Sequence, residues 1–251
     1  MTEHKVPSML AANAPIESYL LPLVFEPGTR FNYSIGIDFA GFIVAAASGM
    51  SLEDYFRKHI FEPCGVTSIS FHPPADYDSK KQAMCLRDPV HTGKISLMDG
   101  PAMGRALDPK TIGPHYSGGG GLFGTARDYL KVLTKVLASA DSDSLISRKS
   151  FKALFVDGTP DLPIVKADMA KMAKSQCIHD PAILTDGTGE HIGYSPGLFL
   201  NFIDSKWGRL AMSGFWDGAA KTMFWIDPST GIAVSLASVP RISRTDDIAD
   251  V

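Results

Sequence analysis

The sequence predicts a mixed α/β chain of the α+β kind: an antiparallel sheet flanked by helices, with a helical, loop-rich subdomain ahead of it. Three observations carry this. From Gly193 onward the short runs LFLNFI, RLAMSGFW, KTMFWI and IAVSLASV succeed one another, the last two joined by Asp227-Pro228-Ser229-Thr230-Gly231. Such spacing reads as an antiparallel meander of about four strands. Second, Thr125 with Asp128 three residues later opens a helix to Ala138, with Tyr129, Val132, Leu133, Val136 and Leu137 on one stripe. Third, every residue from Phe39 to Ala47 is apolar or Gly. A helix there has no polar face and is expected to be buried.

The remaining elements follow from local signals. IESYLLPLVF is a short helix broken at Pro22. Gly49 stands where a helix C-terminus takes the left-handed conformation. Ser51 caps the next helix, with Asp54 completing a capping-box pattern, Leu52, Tyr55, Phe56 and Ile60 recurring at helical spacing, and Pro63-Cys64-Gly65 ending it. Residues 72–116 are expected to be loop, since Pro73-Pro74, Asp88-Pro89, Asp99-Gly100-Pro101, Asp108-Pro109 and Gly113-Pro114 punctuate them. Ser147 caps a short helix that turns Phe151, Leu154 and Phe155 inward. Residues 157–191 read as irregular, with at most one helix near 165–174. The whole reads as one domain: about 1–190 helical and loop, about 191–240 strands, and 241–251 a polar, frayed tail.

Composition narrows the function classes. With 45% hydrophobic residues, 20% charged residues and a net charge of −3 over 251 residues, the chain has ample core and no electrostatic footprint for nucleic acid or an acidic membrane. Cys64, Cys85 and Cys177 make no CxxC pair and leave one thiol over, which favours a reducing compartment above a disulfide framework. The first residues, MTEHKVPSMLAANAP, lack a continuous apolar core, and no run reaches the length of a membrane span. A soluble, cytoplasmic protein is expected. Seven histidines at 4, 59, 72, 91, 115, 179 and 191 show no helical ligand spacing, so neither a metal nor another cofactor is expected.

Two motifs mimic known chemistry. Gly193-Tyr194-Ser195-Pro196-Gly197 matches G-x-S-x-G, but no histidine follows His191, Pro196 has no N–H for an oxyanion hole, and a strand follows instead of a helix. Gly119-x-Gly121-x-x-Gly124 opens a helix without a strand before it or a βαβ unit after it. Its glycines read as a turn where backbones pack closely. The informative stretch is Phe25 to Gly65. Pro27-Gly28 makes a turn, and Tyr33-Ser34 then stands on a tight loop at the mouth of the apolar helix.

The phrase PGTRFNYSIG, followed by Ser51-Leu52-Glu53 and Ile60-Phe61-Glu62-Pro63, resembles the tyrosine-motif segment of the serine β-lactamase and penicillin-binding-protein superfamily. Its nearest likeness is the class C, esterase and fungal transesterase branch that includes the lovastatin acyltransferase. The resemblance returns at Ser117–Tyr129 and Gly214–Val239. It implies a β-lactamase/transpeptidase-like fold and acyl transfer from a small-molecule ester, with Tyr33 as the catalytic phenol working beside a lysine. Many relatives carry Asn where Ile35 stands, so a donor toward substrate is lost, which counts against β-lactam hydrolysis. Gly214-Phe215-Trp216-Asp217-Gly218-Ala219 resembles the W-G-G segment of the esterase branch. With Ser34, the residues Trp216, Asp217, Gly218 and Ala219 are implied to line the substrate and oxyanion region. Asp217 replaces the usual middle glycine. Lys221-Thr222-Met223 looks like K-T-G, but Met223 is not small and its register lies further along the strand.

The family's nucleophile is Ser-x-x-Lys at the start of a buried helix, where one turn sets the amine against the hydroxyl. None of the serines in this chain has Lys three residues on. The resemblance thus implies a C-terminal portion of such an enzyme, incomplete on its N-terminal side and inactive alone, or else a pseudoenzyme serving as a ligand-binding or interaction module.

Overall fold

The computed structural model describes residues 16–20, 22–72, 74–80, 82, 85–87, 95–97, 115–175, 189–205, 208–218, 222–237 and 240–241. A 3₁₀ turn over Ile16–Tyr19 precedes the first long helix, α1 (Gly36–Ser48). Gly49 ends α1 at φ 66°, its N–H donating to the Ala45 carbonyl at 3.0 Å. α2 (Leu52–Phe56) follows at once. Ser51 Oγ accepts from the Asp54 N–H at 3.0 Å and donates to the Asp54 carboxylate at 2.6 Å. The helix does not continue as a plain α-helix toward Pro63 but widens into a π-helical turn over Arg57–Phe61. No single described helix is long and apolar enough to cross a membrane, and α1 meets α2 with its π turn at 84°.

The expectation that α1 is buried is not met. Only Gly41 is buried, while Ile37 is 43% and Ile43 66% exposed. Among the described residues the helix packs against α2, the glycine loop and the 3₁₀ turn, where Tyr19 meets Phe42 edge-on at 5.5 Å, while Ile37, Ala40, Ile43 and Ala47 are exposed. On the packed side the approach is close. A β-carbon on Gly41 would lie 3.0 Å from the Gly118 backbone, and one on Gly118 would lie 2.2 Å from the Ile37 carbonyl oxygen. This is where the run of glycines acts: it lets backbone meet backbone, as its turn-like reading implied.

The region 72–116, read as loop, holds α3 (Tyr77–Lys80) and two short strands, β1 (Cys85–Arg87) and β2 (Ile95–Leu97). β1 pairs antiparallel with β2 and parallel with β8 (Pro240–Arg241). Arg241, placed in the tail by its polarity, therefore belongs to a sheet. The prolines at 73, 89, 101, 109 and 114 lie outside the described residues, and proline density said nothing of strands this short, one of whose partners lies at the far end of the chain.

α4 (Ala126–Ala138), α5 (Arg148–Ala153) and α6 (Pro163–Ser175) come next. Thr125 Oγ1 accepts from Asp128 N–H at 3.3 Å, and Ser147 Oγ from Ser150 N–H at 3.1 Å, which are the two caps expected. The main sheet is a five-stranded antiparallel meander, β3 (Ile192–Tyr194), β4 (Phe199–Asn201), β5 (Gly214–Asp217), β6 (Thr222–Asp227) and β7 (Ile232–Ala237), in that spatial order. The added strand is β3, hidden in the G-x-S-x-G phrase. β5 starts at Gly214 and not at Arg209 because the intervening backbone is claimed by side chains. The buried Asp227 carboxylate accepts from Leu210 N–H and the buried Asn201 amide donates to Leu210 O, both at 2.9 Å, and Met212 turns the chain at φ 62°. α4 lies on β6 and β7, with Tyr129 edge-on to Phe224 at 5.5 Å. Burial pushes the Tyr129 hydroxyl up to about 12. α6 packs Val165, Met169 and Met172 onto Ile192, Phe199 and Phe215, forming one core cluster. A second joins Phe61, Cys64, Val66 and Ile69 to Tyr129 and Val132 of α4.

Asp128 ties α4 to the chain after α2. Its carboxylate pairs with Lys131 at 2.6 Å and accepts from the Ser68 and Thr67 N–H groups at 2.9 and 3.2 Å. Lys131 first, then these donors, hold its pKa far below the carboxylate range. A depressed folded-state pKa contributes stability that is present above the unfolded value of about 3.9 and is lost as pH falls toward the folded one. Asp128→Asn should therefore lower stability at pH 7 by about 1–3 kcal/mol in urea melts and weaken the acid limb below about pH 4. Gly118→Ala should cost about 1–3 kcal/mol, since the obstacle is the Ile37 backbone and cannot rotate away. An unchanged melting temperature would contradict the close approach.

Candidate active site

The loop before α1 is anchored from α6. Arg30 Nε and Nη2 donate to the Asp168 carboxylate at 2.6 and 2.8 Å, and Phe31 N–H adds a third bond at 3.2 Å. Such a bidentate pair fixes direction as well as distance. Arg30 holds the Asp168 carboxyl below its usual range. Phe31 then meets Tyr194 edge-on at 5.7 Å. With Phe31 set in this way, the next turn of chain presents Tyr33 and Ser34 at the head of α1, where Ser34 is exposed.

Tyr33 lies flat on Trp216 of β5, with ring centroids 6.0 Å apart and an interplanar angle of 5°. Trp216 is half-buried, meeting Tyr194 edge-on at 5.8 Å and Phe199 at 6.0 Å, so it serves both as core anchor and as platform. Tyr33 remains 54% exposed. Burial of the stacked ring, then the charges of Asp38 and Asp217, raise its pKa above that of an ordinary phenol, so the group is neutral at pH 7. A neutral phenol can donate a proton as it stands. It accepts one only when a neighbouring positive charge stabilises the phenolate.

The two segments that the sequence singled out are thus adjacent. Trp216 pairs with Phe224 and Asp217 with Met223 across β5 and β6. Gly218 N–H donates to Thr222 O at 2.8 Å, so that amide is already engaged and is no oxyanion donor here. A β-carbon on Gly218 would lie 2.9 Å from Thr222 Oγ1. Ala219 and Lys221 lie outside the described residues. Ser195 is remote from nucleophilic chemistry: it is buried at the β3–β4 turn, where Oγ accepts from Leu198 N–H at 3.0 Å and donates to Leu198 O at 3.2 Å. Among the described residues no three His, Cys, Asp or Glu side chains converge to hold a metal ion.

Sequence reading missed Tyr194, Asp38 and the Arg30–Asp168 anchor. Tyr194 was concealed inside a motif judged on its serine. Asp38 left a signal, being the lone charged residue of α1. Arg30 and Asp168 are too far apart in the chain for any local pattern to join them.

The chain is of the serine β-lactamase and penicillin-binding-protein type. The family model described as Beta-lactamase matches residues 17–239, and the chain belongs to that family. Among curated proteins it is similar to the acyltransferase calJ of Penicillium decumbens, 32% identical over 228 residues, covering 86% of this chain and 50% of that protein. It is also similar to a lovastatin esterase of Penicillium rubens, 34% identical over 125 residues, 49% of this chain and 30% of that one. Among solved structures, simvastatin synthase (LovD) of Aspergillus terreus in its LovD6 mutant form superposes with a TM-score of 0.71 at 23% identity, over 90% of this chain and 55% of that one. A penicillin-binding protein from Bacillus halodurans shares the fold at a TM-score of 0.56 and 14% identity. The chain spans about half the length of calJ and of the LovD structure.

Trp216→Ala removes both the stack and a side of the core, and should lower stability by about 2–4 kcal/mol in urea titration. Tyr33→Phe keeps the ring on its platform and should change stability by less than about 0.5 kcal/mol. A loss below about 0.5 kcal/mol in Trp216→Ala would mean that Trp216 is neither platform nor core anchor.

Proposed function

We propose that this chain supplies the proton-handling and substrate-cradling walls of an acyl-transfer pocket for a small-molecule ester or acyl substrate. The observation that carries the reading is the stack of Tyr33 on Trp216, which joins the loop at the head of α1 to the outer end of β5 in one exposed surface. Tyr33 is the group that exchanges a proton with the attacking hydroxyl. Ser34 borders the substrate, and Trp216, Asp217 and Gly218 line the strand edge along which it lies, with Ala219 next in the sequence. Gly218 contributes room there, since its own N–H is engaged. Membership of the Beta-lactamase family, and similarity to proteins named as an acyltransferase and an esterase, support ester hydrolysis or transesterification through an acyl-enzyme as the reaction class. The cysteine count supports a cytoplasmic setting.

The nucleophile is the part this chain does not supply, since none of its serines has a lysine three residues on. On its own residues it binds without turning over. That same feature favours a second reading, a pseudoenzyme that keeps the pocket as a ligand-binding or protein-interaction module. A sharp, cooperative thermal melt supports the module, and a broad melt with aggregation supports an incomplete enzyme.

Purified chain should release p-nitrophenol from p-nitrophenyl butyrate no faster than its Tyr33→Phe variant, while calorimetry detects ester binding that Trp216→Ala weakens by about tenfold or more. Turnover abolished by Tyr33→Phe would overturn the inactivity. Ester binding indifferent to Trp216 would overturn the site.

A further inference from the structure

Asp38 sits in the first turn of α1, yet it does not serve as that helix's cap. The N-cap position is Ile35, which has no side chain to accept a bond. The carboxylate instead reaches a loop distant in sequence, accepting from Ser117 Oγ and from Gly119 N–H, the latter at 3.2 Å. A β-carbon on Gly119 would lie 3.0 Å from the carboxylate oxygen, and one on Gly118 would overlap the Ile37 carbonyl. The glycine loop therefore lies directly on the head of α1, and Asp38 is the polar group that holds it there. A carboxylate at this end of a helix is also favoured by the helix dipole. Its place is set from both sides, by the helix below and the loop above.

The same carboxylate lies five residues beyond Tyr33 in the chain. Burial of its ring raises the Tyr33 pKa first, and the charges of Asp38 from α1 and Asp217 from β5 raise it further, while Tyr33 in turn raises that of Tyr194 from β3. Asp217 belongs to the strand that carries the platform. Asp38 bonds the glycine loop as well.

We infer that Asp38 is a positioning residue for this site, one carboxylate that clamps the glycine loop onto α1 and presents its charge to the Tyr33 phenol. The inference rests on the reading of Tyr33 as the proton-handling group, and it adds two separable duties to one side chain. The charge adds to the effect of burial in raising the pKa of the phenol, and the hydrogen bonds keep the loop in place. Asparagine retains an acceptor oxygen for Ser117 and Gly119 but no charge. Alanine loses both, and Ser117→Ala weakens the clamp while leaving the charge intact.

The test uses the full chain and two measurements that need no turnover. Tyr33 is titrated by tyrosinate absorbance, taken as the difference between each protein and the same protein carrying Tyr33→Phe. Loop protection is read from amide hydrogen exchange at 118–121. With Asp38→Asn the Tyr33 midpoint should fall toward that of an ordinary phenol while exchange stays within about threefold of the parent. With Asp38→Ala exchange should rise about tenfold or more. Ser117→Ala should raise exchange and leave the midpoint alone, and it reports on the clamp even if Asp38→Ala fails to fold. An unmoved midpoint in Asp38→Asn overturns the inference, as does unchanged exchange in Ser117→Ala. Ester binding indifferent to Trp216→Ala would sink the functional reading while leaving both of these results in force.

Discussion

Backbone pressed against backbone at Gly41 and Gly118 is the constraint on which the rest of this structure depends. Side chains at either position would push the glycine loop off α1. With the loop in place, Asp38 finds Ser117 and Gly119, Gly124 comes against Ile69, and α4 starts at Thr125 in line to cover the last two strands of the sheet. The start of α1 is then held near β5, and the loop ahead of it can lay Tyr33 on Trp216. Steric permission comes first here, and the polar contacts depend on it.

Elements with a local cause could be read from the chain. The limits of α4 at 126–138, the caps at Ser51, Thr125 and Ser147 and the left-handed stop at Gly49 rest on neighbouring residues, and the structure has all of them. The meander was legible as a succession of β-rich runs, short by one strand because Ile192–Tyr194 is brief and carries no alternation. Long-range causes were not legible. β1 exists through partners at 95–97 and 240–241, and the start of β5 is set by Asn201 and Asp227 reaching around a turn. The site divides in the same way. Tyr33 and Trp216 stood out by resemblance, whereas the groups that set their environment act across the fold and leave no local pattern.

The apolar character of α1 misled for a related reason. A helix without a polar face is ordinarily a buried one. Composition states what a helix could bury, however, and what it does bury depends on which neighbours are present. Here α2 and the glycine loop cover one side, and Ile37 and Ile43 remain in water. The electrostatics of the site have the same dependence on neighbours. Burial of the ring, then the charges of two carboxylates, raise the pKa of the Tyr33 hydroxyl and hold it neutral.

The wet flank of α1 also has a thermodynamic signature. Hydrocarbon already hydrated in the native state adds nothing to the surface that unfolding uncovers, so this flank of the helix contributes little to the heat-capacity increment or to the denaturant slope. The stability curve of the chain is correspondingly flatter than one in which the same thirteen-residue helix were enclosed. Cooling then costs it less than it costs a protein whose apolar helices are fully dry.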